Sequence, residues 1–476
     1  MKTIKSLLCV VLAVAMLFAL AACGGDTTAT SSVEASSVAD TSSTRSQITF
    51  EEKPIIDETV PGLASTDATL KTGVRLDESG NLLFRPEDVG ELDNSIITSL
   101  ITPAPEDEWI LHNVTWKEEA YGVEFDYDVC AWADRDAKWV AAYVGGDSYD
   151  IITRTNFPTT AVKGLLEPID LHLPTNDARY FKPTQIWNDH VYGVNVRCQN
   201  YNYVDVSEMF GVWYNADLFE ENGLTSPLEL WENGEWTFDA FIEAAEALTM
   251  DTDRDGLNDV YGWGTWAKKM FTVGNGATTV EITRDKVELT WDSPAYINGL
   301  EYLIKALPYV YKSGATFANG SMAMYIERLS HAKEYSPTSP ECSINFTAEW
   351  VPTPTGPDGE GYMGVISTGA ETQSIGKGAK NIEGALVWIC GDLIKYEYID
   401  DSNNPSMTGV TDEMMQRALS CEEKRLVDLY VYVGNLEQQM YKFWDDVTIL
   451  GAKAAIEKYT PSFQGEIDIL MKEKIQ

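Results

Sequence analysis

From Ser95 onward the chain alternates short apolar runs with amphipathic helical stretches, and this alternation limits its fold more than any other feature. Ile96 to Ile101 is an apolar run closed by Pro103. Glu108 to Glu119 reads as a helix, Val123 to Val129 alternates with period two, Trp132 to Val144 reads as a helix, and Tyr149 to Thr153 as a buried strand. A second set follows in the same style. Phe210 to Tyr214 reads as a strand, and Thr237 caps a helix whose Phe238, Phe241, Ile242, Ala245 and Leu248 share one face, with Trp236 and Phe241 placed as a hydrophobic staple. Ser293-Pro294 joins a cap to a proline at the first helical position and opens a helix from Ala295 to Ala306. Roughly the last seventy residues read as mostly helical. Strands separated by helices do not pair as hairpins, so the expected class is α/β, with mostly parallel sheets flanked by helices.

Composition narrows the function. At about 150 residues per domain, 476 residues support two or three domains with a large core. Asp plus Glu number 74 against 35 for Lys plus Arg, a net charge of -39. Such a chain repels phosphate backbones and anionic membrane surfaces, which sets nucleic acid aside as a partner.

The N-terminus reads as an address. Lys2 and Lys5 precede an uncharged run from Leu7 to Ala22, long enough for a secretory signal and short for a membrane span. Leu20-Ala21-Ala22-Cys23 matches the bacterial lipobox, so residues 1–22 are expected to be a lipoprotein signal peptide and Cys23 the lipidation site. Two or three acyl chains would hold the protein stably on the extracellular face of the bacterial cell membrane. From Asp26 to Gln47, 12 of 22 residues are Ser or Thr, so residues 23–47 read as the lipidated cysteine and a flexible tether. Its reach is about 25 Å. Residues 48–92, punctuated by Pro54, Pro61 and Pro86, read as an irregular N-terminal extension with no function assigned. Cys130, Cys198, Cys342, Cys390 and Cys421 are widely spaced and form no Cys-x-x-Cys pair; they read as buried small hydrophobes, with one disulfide left open.

Several segments resemble a known family in one consistent order. Gly145-Gly146-Asp147-Ser148-Tyr149-Asp150-Ile151-Ile152, then Gly164-Leu165-Leu166-Glu167-Pro168-Ile169, is similar to a helix-to-strand passage of the extracellular solute-binding proteins of carbohydrate ABC importers, the maltose-binding-protein-like family. Tyr192-Gly193-Val194 resembles that family's crossover strand, and Trp213-Tyr214-Asn215-Ala216-Asp217-Leu218-Phe219 its Tyr-Asn-x-Asp-Leu-Phe signature. Glu235-Trp236-Thr237-Phe238 resembles its Trp-Thr helix start, Phe317-Ala318-Asn319-Gly320-Ser321-Met322-Ala323-Met324 its Phe-x-x-Gly-x-x-Ala-Met, Val351-Pro352-Thr353-Pro354 a strand before a loop, and Tyr362-Met363-Gly364-Val365-Ile366-Ser367 a second crossover. The resemblance spans roughly residues 93 to 476. It implies a two-lobed periplasmic-binding-protein-like fold joined by crossing hinge strands. Lobe 1 would take residues 93–195 and 366–405, and lobe 2 residues 196–365 and 406–476, with hinges near Val194 to Arg197 and Gly364 to Ser367. It further implies capture of a sugar or oligosaccharide, ABC permease subunits as partners, a monomer, and no catalysis.

Sugars are held by flat aromatic faces and by planar polar side chains that pair with hydroxyls, in clefts beyond the carboxyl ends of strands. The resemblance implies lobe 1 contacts from the loop after Ile152, where Arg154 and Asn156 are the candidates. In lobe 2 the candidates are Tyr325, Glu327 and Arg328 after the Ala-Met strand, Trp263 and Trp266 after Tyr261-Gly262, and Trp444, whose segment resembles the family's late helical stretch and so implies an aromatic that stacks on sugar. Trp187 and Asn195 lie near the first crossover. For each tryptophan, a place in the core is the competing assignment.

A separate motif points to a cation. Asp251, Asp253, Asp255 and Asp259 stand at positions 1, 3, 5 and 9 of a calcium-loop spacing, with Gly256 at position 6 and the Leu257 carbonyl at position 7. Position 12 is Gly262 where such loops carry Glu. The expectation is a structural Ca2+ that does not touch ligand, and no cofactor for catalysis. Two rival functions stay open, a secreted glycan hydrolase working through a carboxylate pair and a surface lipoprotein for adhesion or sensing. No His-Glu-x-x-His, Gly-x-Ser-x-Gly or P-loop pattern occurs. The lipobox reading has a direct check: Cys23→Ser is expected to abolish metabolic palmitate labelling and release the protein from the membrane fraction, and a labelled, membrane-bound variant would refute it.

Overall fold

The computed structural model describes residues 50, 53–63, 73–101, 110–131, 134–153, 155–196, 206–207, 209–312, 314–360, 363–365, 372–399, 407–421 and 424–472. Residues 1–47, expected to hold the signal, the lipidation site at Cys23 and the tether, lie outside them, and no described helix is long and apolar enough to cross a membrane.

Seventeen strands occur among the described residues. A small hairpin, β1 (Arg75–Leu76) and β2 (Leu82–Leu83), precedes the first large sheet. That sheet comprises β3 (Ile96–Ile101), β4 (Glu124–Val129), β5 (Ile151–Thr153), β6 (Leu166–Glu167), β7 (Phe181–Trp187), β8 (His190–Val196) and, from far along the chain, β16 (Gln373–Gly376). The strand order is β4-β3-β5-β16-β8-β7, with β6 also on β16. The second sheet, β10-β13-β9-β14, is built from β9 (Phe210–Asn215), β10 (Tyr261–Gly264), β13 (Met322–Arg328) and β14 (Ala348–Pro352). Two further pairs stand apart, the hairpin of β11 (Val280–Ile282) and β12 (Val287–Leu289), and β15 (Met363–Val365) running parallel to β17 (Arg425–Val427). The fold is α/β, with two lobes each centred on one large sheet.

The sheets are more mixed than the alternation suggests. β3 pairs parallel with β4 and β5, and β10 with β13. Yet β16 is antiparallel to β5, β6 and β8, and β9 is antiparallel to β13 and β14. In the second sheet β9 alone runs against the rest, and in the first both β16 and the edge strand β7, antiparallel to β8, do so. β9 is buried along its whole length, and Gly211 is required within it, because a Cβ there would stand 2.3 Å from the Trp350 ring.

Local signals set the helix starts. Thr237 Oγ1 accepts from Ala240 N, and Trp236 packs edge-on to Phe241 at 6.0 Å, so the helix Phe238–Ala247 begins at its cap and staple. Ser293 accepts from Tyr296 N ahead of Pro294, opening the helix Pro294–Ala306. In the first lobe, Asn381 Oδ1 accepts from Gly384 N at the head of the helix Ile382–Gly391, whose residues from Gly384 onward are buried. Phe125 stacks on Trp388 of that helix at 4.2 Å. Lys117, itself buried, lies over the Trp388 ring and pairs with Asp392 at 2.7 Å.

The described residues of the N-terminal extension are more ordered than its composition suggests. Phe50 packs against Phe84 and Tyr180, Ile56 bridges to Asp177, and Arg85 forms a bidentate pair with Glu397. Arg284, in the turn between β11 and β12, donates to Thr59 O of this extension and pairs at 2.9 Å with Asp189 in the β7–β8 turn. Cys390 and Cys421 are buried free thiols, Cys342 is half-buried and free, and Cys130 is half-buried; Cys198 lies outside the described residues.

Asp150 ties the first lobe together. It is 2% exposed; Oδ2 accepts from Thr98 N and Thr98 Oγ1, and Oδ1 from Lys380 N and Asn381 N. Asp150→Ala strands those donors and should lower stability by about 3 kcal/mol. Urea unfolding checks this, and an unchanged midpoint would show the four bonds to be dispensable.

Candidate functional site

The candidate site grows from the carboxyl edge of the second sheet, where β10 runs parallel to β13 and ends opposite Tyr325. Within β10, Gly262 lets the strand lie against the helix Phe238–Ala247, since a Cβ there would meet Ala245 O at 2.0 Å. Trp263 turns into the core. Thr265 then bends the chain: its Oγ1 donates to Ile326 O at 3.0 Å and accepts from Ala267 N at 2.9 Å. Trp266 emerges from this bend 55% exposed, with its ring edge-on to Phe210 at 5.5 Å.

Glu327, at the end of β13, is the centre of the cluster. Trp266 Nε1 donates to its Oε2 at 2.6 Å and the Tyr325 hydroxyl to the same oxygen at 3.3 Å. Arg328 donates to Oε1 from its backbone N at 2.9 Å and from Nε at 3.3 Å. His331 Nε2 lies 3.7 Å from Oε1. Tyr325 is half-buried and stacks on Phe317 at 6.2 Å; burial, with the Glu327 charge adding to it, pushes its phenol above the ordinary range. An exposed indole, a guanidinium and a phenol thus surround one buried carboxylate. That set can stack on the apolar face of a ring and hydrogen-bond its polar edge.

The sequence-predicted residues divide into three groups. Trp266, Tyr325, Glu327 and Arg328 come together as described. Trp263 is fully buried, donates Nε1 to Ala306 O at 2.7 Å and packs against Phe241 and Phe271, so it is a core residue with no face open to a ligand. Trp187 is buried in the same apolar core. In the first lobe, Asn156 is half-buried and donates to Asp136 at 2.6 Å, while Asn195 is buried and accepts from Thr372 at 2.8 Å. Arg154 lies outside the described residues.

Trp444 is buried within a polar cluster that carries no sequence motif. Its indole lies near the Tyr430 phenol, and Lys269 lies 5.5 Å from the Tyr430 ring centre. Thr279 Oγ1 joins Tyr296, at 3.0 Å, to Asp428 Oδ2, at 2.6 Å. Asp428 Oδ1 is buried with no hydrogen-bond partner among the described residues. Burial holds the Lys269 ammonium below its usual range, and burial raises the Asp428 and Glu437 carboxyls above theirs.

In the acidic loop, one carboxylate oxygen from each of Asp251, Asp253 and Asp259 lies within 4.8 Å of the others. Asp255 is outside this set and accepts from Leu257 N at 2.7 Å. Arg254 and Gly256 both take positive φ. Thr252 hydrogen bonds hold Asp259 below the ordinary carboxylate range.

Three comparisons bear on this geometry. A family pattern described as bacterial extracellular solute-binding protein matches residues 116–389. No curated protein sequence matches the chain. Among solved structures, an ABC substrate-binding protein of Listeria monocytogenes in complex with cycloalternan is similar with a TM-score of 0.53 and 15% identity, covering 80% of this chain and 99% of that one. The maltose/maltodextrin-binding domain of Bdellovibrio bacteriovorus bound to maltotriose has a TM-score of 0.54 and 14% identity, covering 79% and 100%. A receptor of Streptomyces glaucescens, solved unliganded and with acarbose, has a TM-score of 0.56 and 15% identity, covering 79% and 99%. At such identities the likeness establishes the fold.

The buried Asp428 generates a pH prediction. Its carboxyl is raised in the folded chain and ordinary in the unfolded one, so the folded state keeps the proton longer. This contribution to stability is present below the ordinary carboxylate value and is lost as pH rises through the raised one. The stability of Asp428→Asn relative to wild type should therefore increase from about pH 4 upward, read from urea midpoints across pH; a constant difference would place the carboxyl at its ordinary value.

Proposed function

Because the chain belongs to the bacterial extracellular solute-binding proteins, we propose that it captures a sugar or oligosaccharide between its two lobes and delivers it, chemically intact, to the permease subunits of an ABC importer. The observation that carries this reading is the exposed Trp266 indole at the carboxyl edge of the second sheet, with Arg328 and Tyr325 beside it. The indole offers a stacking face, the Arg328 guanidinium offers donors to hydroxyls, and the Tyr325 oxygen, its proton given to Glu327, offers an acceptor. Fold relatives whose structures hold cycloalternan, maltotriose and acarbose support the choice of ligand class.

In this proposal the lobes divide at the two crossings near residues 194–197 and 364–367, and closure is a hinge motion selected by a ligand that touches both. Arg154 and Asn156 are proposed as the first-lobe contacts. Cys23 carries the lipid that keeps a monomeric receptor at the cell surface. A Ca2+ ion bound by Asp251, Asp253, Asp259 and the Leu257 carbonyl would relieve the repulsion among clustered carboxylates and brace the second lobe, away from the ligand.

A thermal-shift screen of maltotriose, mannotriose and cycloalternan, run with Ca2+ and with chelator, tests both parts. A bound saccharide should raise Tm in step with its concentration over Kd. Trp266→Ala should weaken that binding by about 1 to 3 kcal/mol, and chelator should lower Tm. Release of shorter glycans from these substrates would overturn the receptor reading, and an unmoved Tm in chelator would remove the ion.

A further inference from the structure

We infer that Glu327 is a positioning residue: its carboxylate fixes the Trp266 indole and the Tyr325 phenol in the orientation that receives a sugar, and does not itself touch the sugar. The inference rests on the sugar-binding reading above and changes the role of one residue within it.

A carboxylate presents about four lone-pair sites. At Glu327, Oε2 accepts from Trp266 Nε1 and the Tyr325 hydroxyl, while Oε1 accepts from Arg328 N and Arg328 Nε. Both oxygens are engaged, and His331 crowds Oε1 from a further side. The side chain is also only 2% exposed. A sugar hydroxyl could reach this carboxylate only by displacing a donor already in place, which exchanges one hydrogen bond for another with little gain.

Trp266 is in the opposite situation. It stands on a bend beyond the strand with more than half its surface in water. An indole so placed and left unrestrained would sample several rotamers and lose that freedom on binding. The 2.6 Å bond to a charged acceptor holds the pyrrole edge, and Phe210 supports the ring from another side. More than half of the residue remains open to a sugar. The ring is thus oriented before ligand arrives.

The decisive experiment uses unliganded full-length protein labelled with 15N-tryptophan. The Trp266 indole N–H, assigned by its loss in Trp266→Phe, should exchange with solvent about tenfold more slowly than an unbonded exposed indole. Glu327→Leu should remove that protection. Should the leucine variant fail to fold, Glu327→Gln serves instead, because replacing a charged acceptor by a neutral one should move the indole resonance. An unprotected Trp266 in the wild type, or a resonance that neither variant moves, overturns the inference.

A second arm separates positioning from contact by calorimetric titration with maltotriose. Glu327→Leu alone should weaken binding about tenfold, but by less than about twofold in a Trp266→Phe background. Losses that multiply independently would mean that Glu327 meets the sugar itself, and would overturn the inference. A wild type that ignores maltotriose counts against the sugar reading only; the exchange measurement still decides the role of Glu327.

Discussion

The first lobe depends on one buried carboxylate. Asp150 gathers donors from Thr98 on β3 and from Lys380 and Asn381 ahead of a helix more than two hundred residues later. Asn381 extends the junction by donating to Asn94 O and Ile96 O and by capping that helix. The parallel strands β3, β4 and β5 are joined by no tight turn that could set their register, so their register must be specified by contacts distant in sequence. The polar junction does this at a point that apolar packing alone would leave free to slip. It also positions β16, the strand threaded antiparallel between β5 and β8.

The second lobe uses a related device for a different purpose. Glu327 is likewise a buried carboxylate with its acceptor sites filled, but two of its donors are aromatic side chains that reach toward the surface. Anchoring an exposed ring to a buried charge combines rigidity with an open face, two properties that burial by itself would set against each other. The tryptophans that lack such an anchor at the surface, Trp187 and Trp263, are part of the apolar core.

Contacts between segments remote in the chain also place the extension of residues 50–63. Arg284 reaches from the β11–β12 turn to Thr59 and to Asp189 in the β7–β8 turn, while Asn188 N donates to Arg284 O at 2.6 Å. The extension therefore belongs to the folded body. Its composition hides this because its order comes from a few aromatic and backbone contacts to Asp177, Asn176 and Tyr180, not from a periodic pattern of its own.

Local patterns in the sequence determined the α/β class, the strands β3, β4, β5 and β9 to within a few residues, and the helix starts at Thr237 and Ser293, and they placed Tyr325, Glu327, Arg328 and Trp266 among the candidate residues. These are written in periodicity, capping chemistry and segment order, which act over a few residues. Only the tertiary structure decided which tryptophans face water, why β9 and β16 run against their neighbours, and that Lys269, Asp428 and Tyr430 meet around Trp444. Burial and strand direction depend on what arrives from elsewhere in the chain, and a buried charge reveals itself only when its partner, far off in sequence, is seen beside it.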